Sequence, residues 1–586
     1  MIPIRNVISK SKYETALEAI NTTYPGWKIS YPDGRTEYIA KKECKEIDDG
    51  ACTIYPFRYG FISERLTFPR IELSTDFPIF ISAQTGTGKT QFIFDVIYPQ
   101  LHRMHQKLLI LVSRSPLKTK VKYDAIDAAG TDQRELLTPY GIEKEHHFGD
   151  IDVYSYQDFS IEDTFNRHRQ EVNSGNYGAV IFDECHFFSA DSDFNEATEY
   201  IFHFLTQMAY RQRIPRIYMT GTPDVVFDRI LEREKELFHA SFFYMPSRLN
   251  LYHFKRDYSY LQLMTFPNDR DYRSLLKIIE NEKSTKWLIF VDSIELGNSL
   301  AHKIKELGKH TVFLFSKTLH RHPKQKSDPE IENVLKGLTD QENMNCDVLI
   351  ATKCLDVGIT IKDKNVNIVS FLHDKTDFLQ SIGRKRISGD EHVNLLIPEY
   401  KSSDIKLWLS TSYSKLAEFN AICQHCPEGH IANGSSFKNP VYIEKGTYHH
   451  NHFAFRKLYF QIRQLESLIT DIEESSLPDT EVIKQYFASW MDSCHVYDSP
   501  VAEGRSQALH VIIENYLLSH LTEQDFQVLA ELLKPYDVRT DQRTSRNSLS
   551  TRSVNTILQE IGYKIRKQKK DNTVTYQIIP LPKEAV

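Results

Sequence analysis

The sequence of 586 residues lacks long apolar runs and has little cysteine. No uninterrupted apolar stretch reaches the roughly 18 residues that suggest a membrane span, so we expect no membrane partner. The first ten residues, MIPIRNVISK, lack the apolar core of a secretory signal. The eight cysteines are scattered along the chain, which argues against a disulfide framework and predicts a reducing, cytoplasmic location.

The chain also lacks an overall positive charge, since 72 Lys and Arg residues stand against 78 Asp and Glu residues. Any contact with nucleic acid must therefore come from a local basic surface. Residues 541–570 offer one, because they hold eight Lys and Arg residues against only Asp541 and Glu560. An ordinary solvated face explains such a stretch equally well.

Short apolar runs alternate with helix-length segments in two successive parts of the chain. This pattern is typical of buried parallel strands joined by crossover helices. The runs of the first part are Pro78–Ala83, Leu108–Val112, Ile151–Ser155, Ala179–Phe182 and Ile217–Thr220. Those of the second part are Trp287–Val291, Thr311–Phe315, Val348–Ala351, Val366–Phe371 and Val393–Ile397. We therefore predict an α/β fold with two parallel-sheet lobes in tandem.

The alternation stops near residue 400, and the rest of the chain is predicted to be mainly helical. Residues 549–561 form a helical pattern that ends at Gly562, a favoured C′ residue. Two alternating stretches then flank Lys570-Asp571-Asn572, which indicates a hairpin. Helices followed by a basic hairpin suggest a winged-helix module. The predicted domains are 1–75 (N-terminal extension), 76–243 and 244–402 (the two lobes), 403–520 (helical accessory region) and 521–586 (winged-helix nucleic-acid-binding module).

The first apolar run leads into the sequence AQTGTGKT, and a helical segment follows it. Gly86 and Gly88 allow a tight turn whose backbone N–H groups can face phosphate oxygens, and the helix N-terminus adds positive potential. Lys89 can reach the β- and γ-phosphates, and the Thr90 hydroxyl can bind Mg²⁺. The predicted ATP-binding loop comprises Ala83, Gln84, Thr85, Gly86, Thr87, Gly88, Lys89 and Thr90.

A pair of acidic residues ends a later strand of the same lobe. Asp183 and Glu184 directly follow the run Ala179–Phe182, in the sequence DECH. Both carboxylates should therefore lie at the carboxyl edge of the sheet, where ligands bind in open α/β sheets. Asp183 can hold Mg²⁺, and Glu184 can orient or deprotonate an attacking water.

With these residues the chain resembles superfamily 2 helicases of the DExH type, in the form known from bacteria and mobile elements. AQTGTGKT is similar to their motif I, which commonly begins with Ala, and DECH is similar to motif II. The sequence TGT at 220–222 is similar to motif III. Ser113 and Arg114 stand where motif Ia touches nucleic acid, and Tyr156 and Gln157 are similar to the TYQ segment of many DNA-acting relatives.

The second lobe carries the remaining motifs of this resemblance. FVDS at 290–293 is similar to motif IV, and ATKCLDVGITI at 351–361 is similar to motif V. Motif V implies that Thr352 contacts nucleic acid and that Asp356 and Gly358 lie near the nucleotide. QSIGRKR at 380–386 is similar to motif VI. It implies that Gln380 faces the γ-phosphate and that Arg384 and Arg386 act as arginine fingers.

The resemblance spans about residues 78 to 400 and implies two RecA-like lobes with ATP and Mg²⁺ between them. It predicts a helicase or translocase in which Lys89, Asp183, Glu184, Gln380, Arg384 and Arg386 are catalytic. Motif VI usually places its last arginine one position later than Arg386, which leaves open which arginine contacts the γ-phosphate. No glutamine precedes Gln84, so the adenine-reading Q-motif of DEAD-box RNA helicases is missing.

The partner predicted from this resemblance is nucleic acid, and DNA is favoured over RNA. The preference rests on DECH, the SYQ segment, the missing Q-motif and the basic C-terminal hairpin. A motor that moves along duplex DNA in a restriction or defence system is one alternative. A nucleotide-dependent binding switch with little catalysis is another.

One cluster of potential metal ligands lies outside these motifs. Cys423, Cys426 and His430 have a spacing that zinc sites use. A structural zinc site needs four ligands, and the sequence offers no fourth at a fitting distance. The sequence therefore favours thiols and surface histidines without a metal at this position.

Overall fold

The computed structural model describes most of the chain. The described residues are 27–30, 36–39, 52–68, 71–113, 115–130, 139–159, 162–193, 195, 197–239, 249–315, 328–353, 359–387, 391–425, 441–444, 447–497, 509, 512–514, 516–517, 520–533, 550–559, 563–570 and 573–580.

An eight-stranded sheet forms the first lobe, after a short antiparallel pair, β1 (Trp27–Ser30) and β2 (Thr36–Ile39). Its strands hydrogen-bond in the order β3-β10-β4-β9-β8-β5-β7-β6, and all pairs except β6 with β7 are parallel. In chain order they are β3 (Cys52–Phe57), β4 (Ile79–Ser82), β5 (Lys107–Val112), β6 (His147–Phe148), β7 (Ile151–Ser155), β8 (Tyr177–Asp183), β9 (Arg216–Thr220) and β10 (Leu249–Phe254).

Helices cover both faces of this sheet, and alternate residues of each strand enter different cores. Phe80 belongs to one apolar core, and its neighbours Ile79 and Ile81 belong to the other. The helices are α1 (Ile62–Arg65), α2 (Lys89–Phe92), α3 (Tyr98–Arg103), α4 (Ser115–Ala129), α5 (Pro139–Lys144), α6 (Glu162–Ser174), α7 (Phe187–Ala190), α8 (Thr198–Arg211) and α9 (Asp224–His239). A π-helical turn (Ile93–Ile97) joins α2 to α3, and 3₁₀ turns span Tyr156–Phe159 and Asp191–Asp193.

A seven-stranded, all-parallel sheet forms the second lobe, with the order β13-β14-β12-β15-β16-β11-β19. Two antiparallel hairpins, β17–β18 and β20–β21, lie further along the chain. The strands are β11 (Leu261–Phe266), β12 (Lys286–Phe290), β13 (Thr311–Leu314), β14 (Val348–Ala351), β15 (Val366–Ser370), β16 (Val393–Pro398), β17 (Val441–Glu444), β18 (Thr447–His450), β19 (His495–Val496), β20 (Tyr563–Lys570) and β21 (Thr573–Pro580).

The remaining helices flank the second sheet and then form most of the C-terminal region. They are α10 (Arg273–Asn281), α11 (Ile294–Glu306), α12 (Pro329–Lys336), α13 (Lys375–Ile382), α14 (Ser402–His425), α15 (His452–Glu474), α16 (Asp479–Ser489), α17 (Glu523–Leu533) and α18 (Thr551–Gln559). A 3₁₀ turn (Arg270–Tyr272) precedes α10, and a π-helical turn (Gly337–Gln341) follows α12. In the described part of the chain, we find no helix with the length and apolar character of a bilayer span.

The predicted fold class, two parallel-sheet α/β lobes in tandem and then a mainly helical region, is confirmed. Each of the ten apolar runs coincides with a strand. The first sheet, however, takes two strands from outside residues 76–243, because β3 and β10 pair with each other and β10 pairs with β4. Neither strand was predicted. The chain therefore crosses to the second lobe after Phe254, since the next strand, β11, belongs to the second sheet.

Candidate active site in the cleft between the lobes

The glycine-rich loop turns sharply between β4 and α2. Gly86 and Gly88 have φ values of 97° and 76°, which is the left-handed region that side chains disfavour. The backbone N–H of Ala83 donates to the carbonyl of Thr220 (3.0 Å), which aligns the loop with the end of β9. Helix α2 begins at Lys89, so its N-terminus faces the turn. This geometry can hold an anion on backbone N–H groups.

Lys89 and the acidic pair meet at the carboxyl edge of the first sheet. The Lys89 Nζ lies 3.2 Å from Oε1 of Glu184 and donates to the carbonyl of Ala83 (3.3 Å). Glu184 follows the buried strand β8 and has a φ of 47°, a strained value for a residue with a Cβ. The loop and the carboxylates, almost a hundred residues apart in sequence, therefore share one site.

The surroundings shift the pKa values of the two carboxyl groups in opposite directions. Burial acts to raise the pKa of Glu184, but the charges of Lys89 and His186 outweigh it and hold that pKa well below its usual range. Burial and the neighbouring charge of Glu184 raise the pKa of Asp183. A cation beside Asp183 would therefore favour its ionised form.

A chain of polar contacts runs from the acidic pair across the cleft. Nδ1 of His186 lies 3.1 Å from the Thr220 hydroxyl oxygen, which accepts a hydrogen bond from the N–H of Thr222 (3.1 Å). The Gln380 side-chain amide of the second lobe donates to the Thr222 hydroxyl (3.0 Å). Arg384 in turn donates to the Gln380 side-chain oxygen (3.1 Å). The residues of motifs II, III and VI are thus connected directly.

The second arginine lies against the glycine-rich loop. A Cβ built on Gly86 would be 2.8 Å from Nη1 of Arg386, and this Nη1 donates to the carbonyl of Gly383 (2.9 Å). A Cβ on Gly383 would in turn be 3.2 Å from the Thr85 side chain. Both glycines therefore permit a close approach of the two lobes. The structure brings together the loop and the arginines, which lie about 300 residues apart.

Two further contacts lie where the lobes meet, and neither was predicted. The Gln84 amide donates to the carbonyl of Asp257 (3.0 Å) and accepts from its N–H (2.8 Å), so this side chain binds the segment between β10 and β11. Lys375 lies 3.1 Å from Asp224. Lys375 lies on the same helix as Gln380, so the sequence could have indicated that it is near the cleft. Nothing in the sequence indicated a role for Asp257.

The residues predicted to touch nucleic acid differ in how far they are exposed, and some of them are buried. Tyr156 is a correction: its side chain is 0% exposed, and its hydroxyl donates to the carbonyl of Asp183 (2.9 Å), so its ring packs inside the lobe instead of facing a ligand. Ser113 is also buried (1% exposed). Gln157 and Thr352 are half-buried. Arg114, and the predicted nucleotide neighbours Asp356 and Gly358, lie outside the described residues.

The zinc hypothesis gains no support. Cys426 and His430 lie outside the described residues, and Cys423 is half-buried on α14. Within the part of the chain that the structure describes, no group of three or more His, Cys, Asp or Glu side chains could hold a metal ion.

Two parallel-sheet lobes that share a phosphate loop, an acidic pair and two arginines define the class of two-lobe P-loop nucleoside triphosphatases. Residues 45–225 match the family model of the type III restriction enzyme res subunit, and residues 270–387 match that of the helicase conserved C-terminal domain. The two matches stand in the order of the two lobes. The chain is therefore a helicase-type protein of superfamily 2.

Two helicases are among the solved structures that match this chain. A Dbp5 variant from S. cerevisiae, in a complex with Nup159, Gle1, IP6 and ADP, is 14% identical over 55% of this chain and 79% of that chain, with a TM-score of 0.34. Helicase Lhr from Mycobacterium smegmatis, bound to ssDNA and AMP-PNP, is 15% identical over 59% of this chain and 48% of that chain, with a TM-score of 0.38. No curated protein sequence matches this chain.

Proposed function

We propose that this protein is an ATP-dependent helicase or translocase that acts on nucleic acid, and on DNA in preference to RNA. The observation that carries the proposal is the meeting of two distant groups in one cleft. Lys89 and Glu184 form one wall, and Arg386 of the other lobe lies against Gly86 of the phosphate loop. An arginine supplied across a cleft neutralises charge in the transition state and makes hydrolysis depend on closure.

The first-lobe wall supplies the groups that bind the phosphates and activate the attacking water. The loop N–H groups and Lys89 bind the β- and γ-phosphates, and the ionised Glu184 orients the attacking water. The Thr90 hydroxyl and the Asp183 carboxylate are oxygen donors of the kind that Mg²⁺ prefers, and the raised pKa of Asp183 fits a site that a cation completes. When bound, Mg²⁺ neutralises phosphate charge.

The second-lobe wall supplies the groups that respond to closure. Arg386 is the better candidate for the γ-phosphate, because its guanidinium already lies against the phosphate loop, whereas Arg384 binds Gln380. The bridge from Gln380 to Thr222 then connects this wall to His186 and the acidic pair. Asp356 and Gly358 remain proposed neighbours of the nucleotide, by their motif alone. Opening after hydrolysis would change the grip of both lobes on a strand.

The family match of the first lobe supports a second candidate within the same class. Residues 45–225 match the res subunit of type III restriction enzymes, which favours a motor that moves along duplex DNA without separating its strands. A strand-displacement assay beside a triplex-displacement assay distinguishes the two candidates. Displacement of a third strand without unwinding of the duplex would select the translocase.

The test is the rate of ATP hydrolysis with single-stranded DNA, duplex DNA and RNA, measured over a range of salt concentrations. We expect stimulation by DNA that falls as salt rises, because contacts to the phosphate backbone release counterions. Lys89→Ala should abolish turnover, and chelation of Mg²⁺ should do the same. Lys305→Ala is the matched control, because Lys305 is an exposed lysine of α11, on the second lobe.

The outcomes separate the alternatives. Wild-type turnover in a folded Lys89→Ala protein would refute the assignment of the site. Tight ATP binding with no turnover under any condition would select the alternative of a nucleotide-dependent binding switch. Stimulation by RNA alone would reverse the preference for DNA.

A further inference from the structure

Helix α15 spans the two lobes. Its N-terminal half enters the core of the first lobe, where the Phe453 ring lies 5.7 Å from that of Phe188 and 5.2 Å from that of Phe202. Its C-terminal half packs into a core of the second lobe through Leu465 and Leu468. The 23 residues of α15 are roughly 35 Å long, so one rigid element contacts both sides of the cleft.

Polar contacts fix the first-lobe end of this helix. The Asn451 side-chain amide donates to the Thr198 hydroxyl (3.1 Å), and the N–H of Phe453 donates to Glu199 (3.2 Å). Arg456 forms an ion pair with Glu232. Because these contacts fix one end of α15 to helices α8 and α9, any movement of the second lobe must act on the rest of the helix.

Near this end lies an interlobe charge cluster, formed by Asp193, Lys353, Asp377, Lys415 and Lys457. The Lys457 Nζ lies 2.7 Å from one carboxylate oxygen of Asp193, and the Lys415 Nζ lies 3.0 Å from the other. Lys353 lies 3.8 Å from Asp377. The cluster thus combines the first lobe (Asp193), the second lobe (Lys353 and Asp377) and the accessory helices α14 and α15.

Lys457 is the buried centre of this cluster, since only 7% of its side chain is exposed. Burial acts to lower the pKa of Lys457, but the charges of Asp193, Asp374 and Asp377 outweigh it and raise that pKa. Two of these acids, Asp374 and Asp377, belong to the second lobe. Asp374 also lines the same small pocket as Lys457, so the ammonium group lies near carboxylates of both lobes.

Three members of the cluster, Asp193, Asp377 and Lys353, are close in sequence to residues of the proposed ATPase cycle. Asp193 follows Glu184 by nine residues, and the Lys457 Nζ also donates to the carbonyl of Ala190 (3.3 Å) between them. Asp377 precedes Gln380 by three residues on α13. Lys353 is next to Thr352, the residue predicted to contact nucleic acid. Short stretches of chain therefore connect the cluster to three parts of the proposed cycle.

We propose that Lys457 is a positioning residue that stabilises the closed arrangement of the two lobes through Asp193, so that Gln380 and the arginines reach the phosphate loop. This inference rests on the proposed function. It assigns a role to α15, which lies outside the residues matched by either family model. Closure would then depend on the accessory helices as well as on the nucleotide.

The experiment compares steady-state ATP hydrolysis by Lys457→Met with that of the wild type at saturating DNA. We expect kcat to fall roughly tenfold, within the usual range of coupling between sites, while KM for ATP changes little. The phosphate loop binds ATP from one lobe, so weaker closure should affect turnover more than binding. Lys457→Arg should recover much of the loss, because it restores the charge. Asp193→Asn should match Lys457→Met, and the double variant should be no worse than either.

Lys406→Met is the matched control. Lys406 pairs with Glu473 across the same two helices, but both side chains are more than half exposed, so kcat should stay at the wild-type level. Asp193 keeps Lys415 as a partner in Lys457→Met, which limits the loss of stability. If that variant does not fold, Lys415→Met takes its place, and a smaller fall in kcat is expected.

Unchanged kcat in these variants, with an active wild type and an inactive Lys89→Ala, would overturn this inference alone. A wild type that hydrolyses no ATP would overturn the proposed function as well. If kcat and the melting temperature fall together across the variants, and Lys457→Arg recovers neither, Lys457 has only a structural role.

Discussion

Tyr156 shows how one buried hydroxyl supports the candidate site. It donates to the carbonyl of Asp183, and its ring stacks on Phe187 at 5.0 Å. Both contacts fall on the turn that contains Glu184, whose positive φ must be stabilised by its surroundings. The tyrosine therefore belongs to the support of the acidic pair, although its sequence context resembles a nucleic-acid contact.

Tyr156→Phe should lower kcat for ATP hydrolysis and leave the affinity for DNA unchanged. Removal of the hydroxyl leaves a buried carbonyl without its donor, which costs about 1–3 kcal/mol. If about 1.4 kcal/mol of this loss is added to the activation free energy, the rate falls about tenfold. Steady-state kinetics and a DNA-binding titration on the same preparation measure the two effects.

Tyr154→Phe is the control for this prediction. Tyr154 is equally buried, and its hydroxyl donates to Glu171 (3.0 Å), away from the acidic pair. We expect a similar loss of stability without the loss of rate. Weaker DNA binding in Tyr156→Phe, with normal hydrolysis, would restore the interpretation of this residue as a nucleic-acid contact.

The loop between β4 and α2 is the element on which the cleft depends. Its glycines serve two purposes, because Gly86 has a left-handed backbone and also leaves room for Arg386 of the other lobe. Only the first purpose could be predicted from the sequence. The second one emerges from the fold, which puts the arginine 2.8 Å from the place that a Cβ would occupy.

Gly86→Ala should abolish most ATP hydrolysis, because the added Cβ both strains the turn and displaces Arg386. Gly308→Ala separates the two effects, since Gly308 also has a left-handed backbone (φ 76°), but a Cβ added there would meet no heavy atom within 4 Å. That substitution should cost about 1 kcal/mol of stability and leave hydrolysis intact. Chemical denaturation and ATPase rates of both variants give the comparison. Equal activity of the two variants would contradict the role of Gly86.

At the scale of the whole molecule, charge is distributed unevenly in the C-terminal part. Helix α18 and the hairpin β20–β21 contain no Asp or Glu among their described residues, whereas α17 carries Glu523, Asp525 and Glu531. The hairpin buries Ile565 and Ile578 against the helices, and Lys564 and Arg566 alternate with Ile565 along β20. The winged-helix module stays a prediction, and we propose that this basic face contacts a nucleic-acid backbone.

Arg552→Ala combined with Arg566→Ala should weaken DNA binding and leave the DNA-free ATPase rate unchanged. Each lost phosphate contact should reduce the slope of log K against log salt by about 0.9, so the pair should reduce it by roughly 2. Arg211→Ala, an exposed arginine at the end of α8, is the control. A slope identical to that of the wild type would remove this face from the nucleic-acid interface.

Much of the fold and of the candidate site could be predicted from the sequence alone, because these features depend on local chemistry. The buried strands follow from continuous apolar runs, and the phosphate loop follows from glycines before Lys89. The acidic pair follows from two carboxylates after an apolar strand. Each of these patterns depends on neighbours within a few residues, so each was visible before the fold was known.

Only the tertiary structure decided which residues distant in sequence contact each other. It placed Arg386 on Gly86, bound Gln84 to Asp257, buried Tyr156 beneath Asp183 and brought β3 and β10 into the first sheet. Such contacts join residues that are 27 to about 300 positions apart, and their partners share no local pattern. Their energies come from burial and from charges that approach only after the chain has folded, so no window of sequence contains them.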